Sequence, residues 1–316
     1  MKTRKIMLSA VVVVVDFPLG MILVAIVWIS VLDRTSGTIV SSGETREYLL
    51  HVPNSYDPVE PAPLVISLHA GATWPAHQMN LGHWNRLADE NGFIVVYPSG
   101  TPVLFDVIRI WRTTPEGVMK DVQFISALID TLEAAYNIDP ARIYANGMSL
   151  GGGLAFALSC TLSDRIAAIG LVAAARSLPS NWCPHTRPVP MIAFHGDADR
   201  IVPYEGGALG DPFNPVKPVY PAVRDWVASQ ARRNRCAASP VESTIAPDVV
   251  RIEYTDCAEG ADVVLYTLLG EVTHGPAGSH RRNGGLERRI RALTPRRRCG
   301  RSFLSIRCSS SWGKIS

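Results

Sequence analysis

Short unbroken apolar runs, separated by segments of helical periodicity, constrain the fold of this chain more than any other feature. Residues 63–69 read PLVISLH and residues 93–97 read FIVVY. Runs of that length without alternation fit strands buried on both faces of a parallel sheet. Further strands are expected at 142–145, 166–172, 190–194, 249–254 and 263–268, with an edge strand at 47–52. Helices are expected at 84–91, 150–162 and 220–233. Another is expected at 121–136, where Val122, Ile125, Leu128, Ile129 and Leu132 fall on one face. Alternating strands and helices predict an α/β domain, a mainly parallel sheet with helices on both faces. No internal repeat and no second domain is visible.

The 316 residues are 47% hydrophobic and 19% charged, enough to bury a sizeable core. The net charge of +3 is unevenly spread. Residues 271–316 hold eleven Lys/Arg against two acidic residues, and the remainder is net acidic by six. The basic character therefore belongs to the tail, and nucleic-acid binding is not expected. Lys2, Arg4 and Lys5 precede an apolar run over 6–32, interrupted by Asp16 and Pro18. This resembles an export signal or an uncleaved membrane anchor. Bulky Trp28, Ile29 and Val31 leave no small-residue cleavage site near its end, which favours the anchor. Residues 1–36 are thus read as anchor or signal plus linker, 37–270 as the α/β domain and 271–316 as an atypical tail. Residues 33–43 are read as a polar linker. The bulk of the chain is expected outside the cytoplasm, secreted or membrane-tethered.

Six cysteines fit an exported protein. Cys236 with Cys257, and Cys160 with Cys183, are plausible pairs, while Cys299 and Cys308 lie in the tail. No cysteine or histidine spacing suits zinc, so no metal site is expected.

Chemistry enters at Gly147-Met148-Ser149-Leu150-Gly151, a G-x-S-x-G sequence between an expected strand and an expected helix. Small flanking residues permit a sharp turn with the serine at its apex. Ser149 is the candidate nucleophile, and the Leu150 N–H, opening the helix, is a candidate oxyanion donor. A second donor should come from the loop after the strand at 63–69, where Ala70 and Gly71 follow His69. His69 itself is read as structural. The candidate acid lies in FHGDADRIVP. Asp199 is preferred because it sits past the turn; Asp197 is the fallback, and His195 is expected to pack. Trp111 is a candidate wall of the acyl site, with core packing as the alternative.

The order serine, aspartate, late histidine is that of the α/β-hydrolases. The chain also resembles a narrower group, the polyhydroxybutyrate depolymerase and feruloyl esterase type. The stretches that carry this are YLLHVPNSYDP, PAPLVISLHA, NGFIVVYPSG, DVQFISALID, GMSLGGG, LSDRIAAIGLVAA, FHGDADRIVPYEGG and DVVLYTLLG, spanning roughly 48–270. The resemblance implies a serine esterase with a Ser-His-Asp triad and no cofactor. Its substrates would be polyester fragments or acyl groups on plant polysaccharide.

The resemblance also places the histidine in a Gly-His-x-Trp-Pro-Gly loop after the strand at 263–268. Here the chain departs, reading Val272-Thr273-His274-Gly275-Pro276-Ala277-Gly278 with no tryptophan. Codons for 272–278 can be chosen whose offset reading gives His-Thr-Trp-Pro-Gly-Gly. Two accounts of the tail therefore stand: a genuine basic arm, or a reading-frame shift near 268–271. As the sequence stands, His274 is the candidate base and His280 the runner-up. Two other classes remain open, a catalytically inactive tethered binding protein and a serine peptidase.

Overall fold

Strand β3, buried at every position, sits near the middle of a ten-stranded sheet. The computed structural model describes residues 35–103, 108–174, 183, 187–208 and 219–271. The chain enters through a hairpin of β1 (Gly37–Ser41) and β2 (Glu44–His51), followed by β3 (Ala62–Leu68). Helices α1 (Pro75–Gly82) and α2 (Trp84–Asn91) lead to β4 (Ile94–Pro98) and a ribbon of β5 (Thr101–Val103) and β6 (Ile108–Ile110). Helix α3 (Pro115–Ala135), β7 (Ile138–Met148), α4 (Leu150–Thr161), β8 (Ala168–Val172) and β9 (Met191–Gly196) form the centre. A small ribbon, β10 (Gly207–Ala208) with β11 (Val219–Tyr220), precedes α5 (Val223–Arg233). Strands β12 (Val241–Ala246), β13 (Val249–Tyr254) and β14 (Val263–Leu268) close the described chain.

The sheet order is β1-β2-β4-β3-β7-β8-β9-β14-β13-β12. The six strands from β4 to β14 in that order pair in parallel, and antiparallel pairs extend both edges. Alternate residues of β3 face opposite layers, as strand geometry requires. Leu64, Ile66 and Leu68 pack with Phe124, Ile125 and Leu128 of α3 and with Leu154 and Leu158 of α4. Val65 packs on the other side with Val95, Tyr97, Tyr144 and Ala88 of α2. Helices therefore cover both faces, as the apolar runs predict.

Two differences from the sequence expectation have local causes. Residues 37–41, expected as linker, form β1. Its exposed Val40 (75% exposed) leaves no apolar run to read. The signal is instead the turn, where Ser42 (φ 51°) and Gly43 (φ 76°) are both left-handed, as a type I′ hairpin needs. Helix α3 begins six residues before the expected Asp121. Thr114 caps it by accepting from the Gly117 N–H, and Pro115 fills the first turn.

Both expected disulfides are closed, Cys160–Cys183 and Cys236–Cys257. The first ties the end of α4 to the segment before β9; the second ties the end of α5 to the turn before β14. Cys299, Cys308, the apolar run at 6–32 and the tail from 272 lie outside the described residues. Among the described residues no helix is long and apolar enough to cross a membrane.

Each disulfide closes a loop of just over twenty residues, with sequence separations of 23 and 21. Opening such a loop in the unfolded chain costs about 3 kcal/mol of stability in the chain-entropy account. The double variant Cys236→Ala/Cys257→Ala is expected to lose about that much in urea unfolding. A loss below about 0.5 kcal/mol would mean that the bridge does not form.

Candidate active site

Strand β7 ends at Met148, and the next residue turns sharply into α4. Ser149 has φ 53° and ψ −119°, a conformation that costs a non-glycine residue of order 1–3 kcal/mol. Its N–H donates to the Val172 carbonyl at 2.9 Å and its carbonyl accepts from the Gly153 N–H at 3.0 Å. The turn is possible only because of bare backbone beside it. A Cβ on Gly147 would lie 2.4 Å from the Gly151 carbonyl, and one on Gly151 would lie 2.4 Å from the His69 carbonyl oxygen. Ser149 is thereby held half-exposed at the carboxyl end of the sheet. Leu150 occupies the first position of α4, where a backbone N–H has no intrahelical partner.

Loop 69–73, at the end of β3, meets this elbow. The His69 carbonyl lies against Gly151, and a Cβ on Gly71 would touch the Leu150 side chain at 2.6 Å. Among the described residues, no group accepts from the N–H of Ala70, Gly71 or Leu150. The loop that carries Ala70 and Gly71 thus packs against the first turn of α4, which carries Leu150. Ala72 takes φ 58°, in the left-handed region.

His69 is fully buried and acts as a strut. Its Nε2 accepts from the Gly100 N–H at 3.0 Å, so Nδ1 carries the proton and donates to the Ala70 carbonyl at 2.7 Å. Burial, the dominant cause, pushes its pKa from 6.5 down to about 4, against the raising effect of the Ala70 carbonyl. A general base cannot be built from a ring whose nitrogens are both engaged away from the serine.

Trp111 is 1% exposed, which corrects the reading of it as a wall of the acyl site. Its ring lies over His69, with centroids 4.9 Å apart, and its Nε1–H donates to the His69 carbonyl at 2.8 Å. An indole sunk beneath the loop to satisfy that carbonyl has no face left for substrate.

On the acid side, the turn after β9 carries both candidate aspartates. Asp199 is buried, and its Oδ1 accepts from the N–H groups of Ile201 (2.8 Å) and Val202 (3.0 Å). Its Oδ2 is also buried and has no hydrogen-bond partner among the described residues. His195 Nε2 lies 3.6 Å from that oxygen, beyond bonding distance, and donates instead to the Val202 carbonyl at 2.9 Å. Burial lowers the proton affinity of His195, and the Val202 carbonyl and Asp199 oppose that shift. It packs, as the sequence suggested. Asp197 is exposed and accepts from the Gly270 N–H at 2.6 Å. The Ala198 N–H donates to the Glu271 carbonyl at 3.2 Å. Asp197 and Ala198 therefore stitch the exit of β14 onto the acid turn, leaving Asp199 with the free oxygen. The acid turn also reaches the elbow, because Leu150 packs with Ile201, Val202 and Tyr220. His274 and His280 lie outside the described residues.

One support escaped the sequence reading. Asp121, fully buried on α3, accepts from Arg46 Nη1 (2.9 Å), Arg112 Nη1 (3.0 Å) and the Arg112 N–H (2.8 Å). Arg46 also reaches the Ser99 carbonyl at 3.1 Å, next to Gly100. The available signal was a carboxylate on the same helix face as Val118, Val122 and Ile125.

Two predictions come from this geometry. Native His69 resists protonation until about pH 4, whereas the unfolded chain takes up the proton near 6.5. Its stabilisation is therefore complete above 6.5 and is lost as pH falls toward 4, by about 3 kcal/mol in all. Urea unfolding from pH 7 to 4 should show that loss in the wild type and a smaller one in His69→Gln. Separately, Ala72→Gly should raise stability by up to about 1 kcal/mol, because it relieves a left-handed alanine. Thermal unfolding checks it, and a lowered melting point would refute it.

Known proteins carry the same architecture. The family described as Esterase PHB depolymerase matches residues 46–177. A bifunctional acetylxylan esterase/xylanase of Neocallimastix patriciarum is 32% identical over 163 residues, covering 52% of this chain and 23% of that protein. Feruloyl esterase B of Piromyces equi is 27% identical over 237 residues, covering 71% and 42%. Feruloyl esterase C of Emericella nidulans is 29% identical over 171 residues, covering 51% and 58%. The chain thus spans less than two thirds of the length of each of these relatives. Among solved structures, an acetyl xylan esterase from Aspergillus awamori superposes with a TM-score of 0.53 at 13% identity, covering 72% of this chain and 88% of that one. The sheet order and the elbow after β7 make the fold an α/β-hydrolase fold. The matched stretch, which runs from β2 past the elbow after β7, is similar to the Esterase PHB depolymerase family and to these feruloyl and acetylxylan esterases.

Proposed function

We propose that this chain is a carboxylic ester hydrolase that works through a covalent acyl-serine intermediate. The observation that carries the reading is strained, half-exposed Ser149 at an elbow against which the 69–73 loop packs, with the N–H groups of Leu150, Ala70 and Gly71 unpartnered among the described residues. Buried Asp199, with an unused oxygen, supplies the means to orient an imidazole. In the proposed cycle Ser149 Oγ attacks the ester carbonyl and passes its proton to the imidazole of His274. The N–H groups of Leu150, Ala70 and Gly71 hold the oxyanion. Collapse expels the alcohol, which takes the proton back from the imidazolium. Water then repeats the sequence on the acyl-enzyme and releases the acid. Asp199 keeps the ring oriented and stabilises its cation.

Chain length supports His274 as the base. Glu271 is bonded to Ala198, beside the acid. Three further residues span at most roughly 10 Å, so His274 follows closely on a residue bonded to the turn that carries Asp199. The relatives' names bring acetylated and feruloylated xylan-type polysaccharide forward as substrate class, with polyhydroxybutyrate-like esters beside it. An export signal or anchor at 6–32, with two disulfides in the domain, fits action outside the cytoplasm. A second reading, a tethered binding protein of low activity, is favoured by one observation. The sequence at 272–278 lacks the tryptophan of the Gly-His-x-Trp-Pro-Gly pattern, and a base misplaced by about 1 Å can cost roughly 100-fold in rate.

Hydrolysis of p-nitrophenyl acetate and methyl ferulate by the purified protein tests the proposal. Ser149→Ala should remove activity, and Asp199→Asn should lower kcat by roughly 10⁴-fold. His274→Ala should cost as much as Ser149→Ala. Activity that survives Ser149→Ala sinks the mechanism. A wild type that binds ferulate and does not turn it over supports the second reading.

A further inference from the structure

We infer that Trp111 and Thr73 are positioning residues that aim the oxyanion donors by holding the opposite ends of their peptide groups. The inference rests on the ester-hydrolase reading and identifies what fixes the oxyanion-binding corner.

In a planar trans peptide the C=O and the following N–H point in opposite directions, so anchoring one aims the other. The peptide joining His69 to Ala70 has its carbonyl oxygen anchored by the Trp111 indole N–H at 2.8 Å. The next peptide, joining Ala70 to Gly71, has its carbonyl anchored twice. The Thr73 hydroxyl donates to it at 2.8 Å and His69 Nδ1–H at 2.7 Å. The N–H groups of these same two peptides belong to Ala70 and Gly71, and neither has a partner among the described residues. Both peptides border the elbow, through the His69 carbonyl at Gly151 and through Gly71 at Leu150.

The anchors are themselves immobile. Trp111 and Thr73 are each 1% exposed, and the Thr73 carbonyl accepts from the Arg109 N–H at 3.0 Å. His69 is locked by the Gly100 N–H on its other nitrogen. A loop without regular hydrogen-bonding would otherwise rotate its peptides freely, and donors that reorganise during the reaction lose most of their electrostatic value. Alanines at 70 and 72 narrow the backbone choices further than glycines would.

Three single variants test this. Trp111→Phe keeps the ring and removes the N–H. Thr73→Val keeps the shape and removes the hydroxyl. Thr73→Ser restores the donor. The first two should lower kcat by roughly 10–100-fold while KM stays within about threefold, and Thr73→Ser should stay within about threefold of wild type. A merely structural role would instead shift melting temperature without this split. Residual dipolar couplings of the Ala70 and Gly71 N–H bonds, measured in a Ser149→Ala background, read the orientation without any turnover. They should change at Ala70 in Trp111→Phe and at Gly71 in Thr73→Val. Unchanged kcat in both variants, or unchanged couplings in both, overturns the inference. A wild type without hydrolysis fails the esterase reading instead, and the couplings then decide the positioning on their own.

Discussion

The site depends on one contact between backbones. The elbow at Gly147–Gly151 lies so close to the end of β3 that no Cβ fits between Gly151 and the carbonyls of Leu68 and His69. That approach does two things at once. It lets the chain reverse with Ser149 at its apex, and it presses the oxyanion loop against the first turn of α4. Serine and donors are therefore placed by the same contact, and a substitution that opens it displaces both. The strain at Ser149 is tolerated because β7 pairs on both sides and α4 is buried along most of its length.

Behind the loop stands a buried charge cluster. Asp121 gathers Arg46 and Arg112, Arg46 stacks over Phe124 at 4.1 Å, and Arg112 continues to Glu44. Taking such groups out of water is costly, and burial lowers the proton affinity of Arg46. An apolar cluster of the same volume could stabilise the fold as well. What it could not do is hold the Ser99 carbonyl, and through Gly100 the ring of His69, at fixed distances. Directional bonds are what a loop with no ladder partners requires. The cluster is thus tied to the chemistry through two backbone steps, although none of its members faces the serine.

The parts legible in the sequence were those governed by burial. Strands 249–254 and 263–268 and helix 84–91 coincide with β13, β14 and α2, because apolar runs and a terminal Asn-Gly mark them directly. The nucleophile was legible because its flanking glycines have a steric purpose that sequence spacing records. Elements governed by capping or by edge position were not. β1 and β12 are largely exposed, and α1, with the sequence PAHQMNLG, carries no clear apolar stripe. Trp111, left open between the acyl site and the core, was not legible for a different reason. Its partner is a main-chain carbonyl from a loop 42 residues away in sequence, and no residue pattern announces such a bond. Asp199 was separable from Asp197 only in outline. The structure adds the physical distinction: one carboxylate is spent on the β14 exit, and the other keeps an oxygen free.

That distinction also explains how one chain supports both an enzyme reading and a binding reading. Ser149, the loop of Ala70 and Gly71, and Asp199 are held by contacts among the described residues, whatever group serves as base in the proposed cycle. In the proposed cycle the imidazole comes from the sequence beyond Glu271, which departs from the Gly-His-x-Trp-Pro-Gly pattern. Binding of an ester carbonyl draws on the first set, and turnover draws on both. In that cycle, a change confined to the sequence beyond Glu271 would act on kcat and leave recognition intact. The exit of β14 is secured by Asp197, which accepts from the Gly270 N–H, and by Ala198, which donates to the Glu271 carbonyl, so the last described residue is bonded to the turn that carries Asp199.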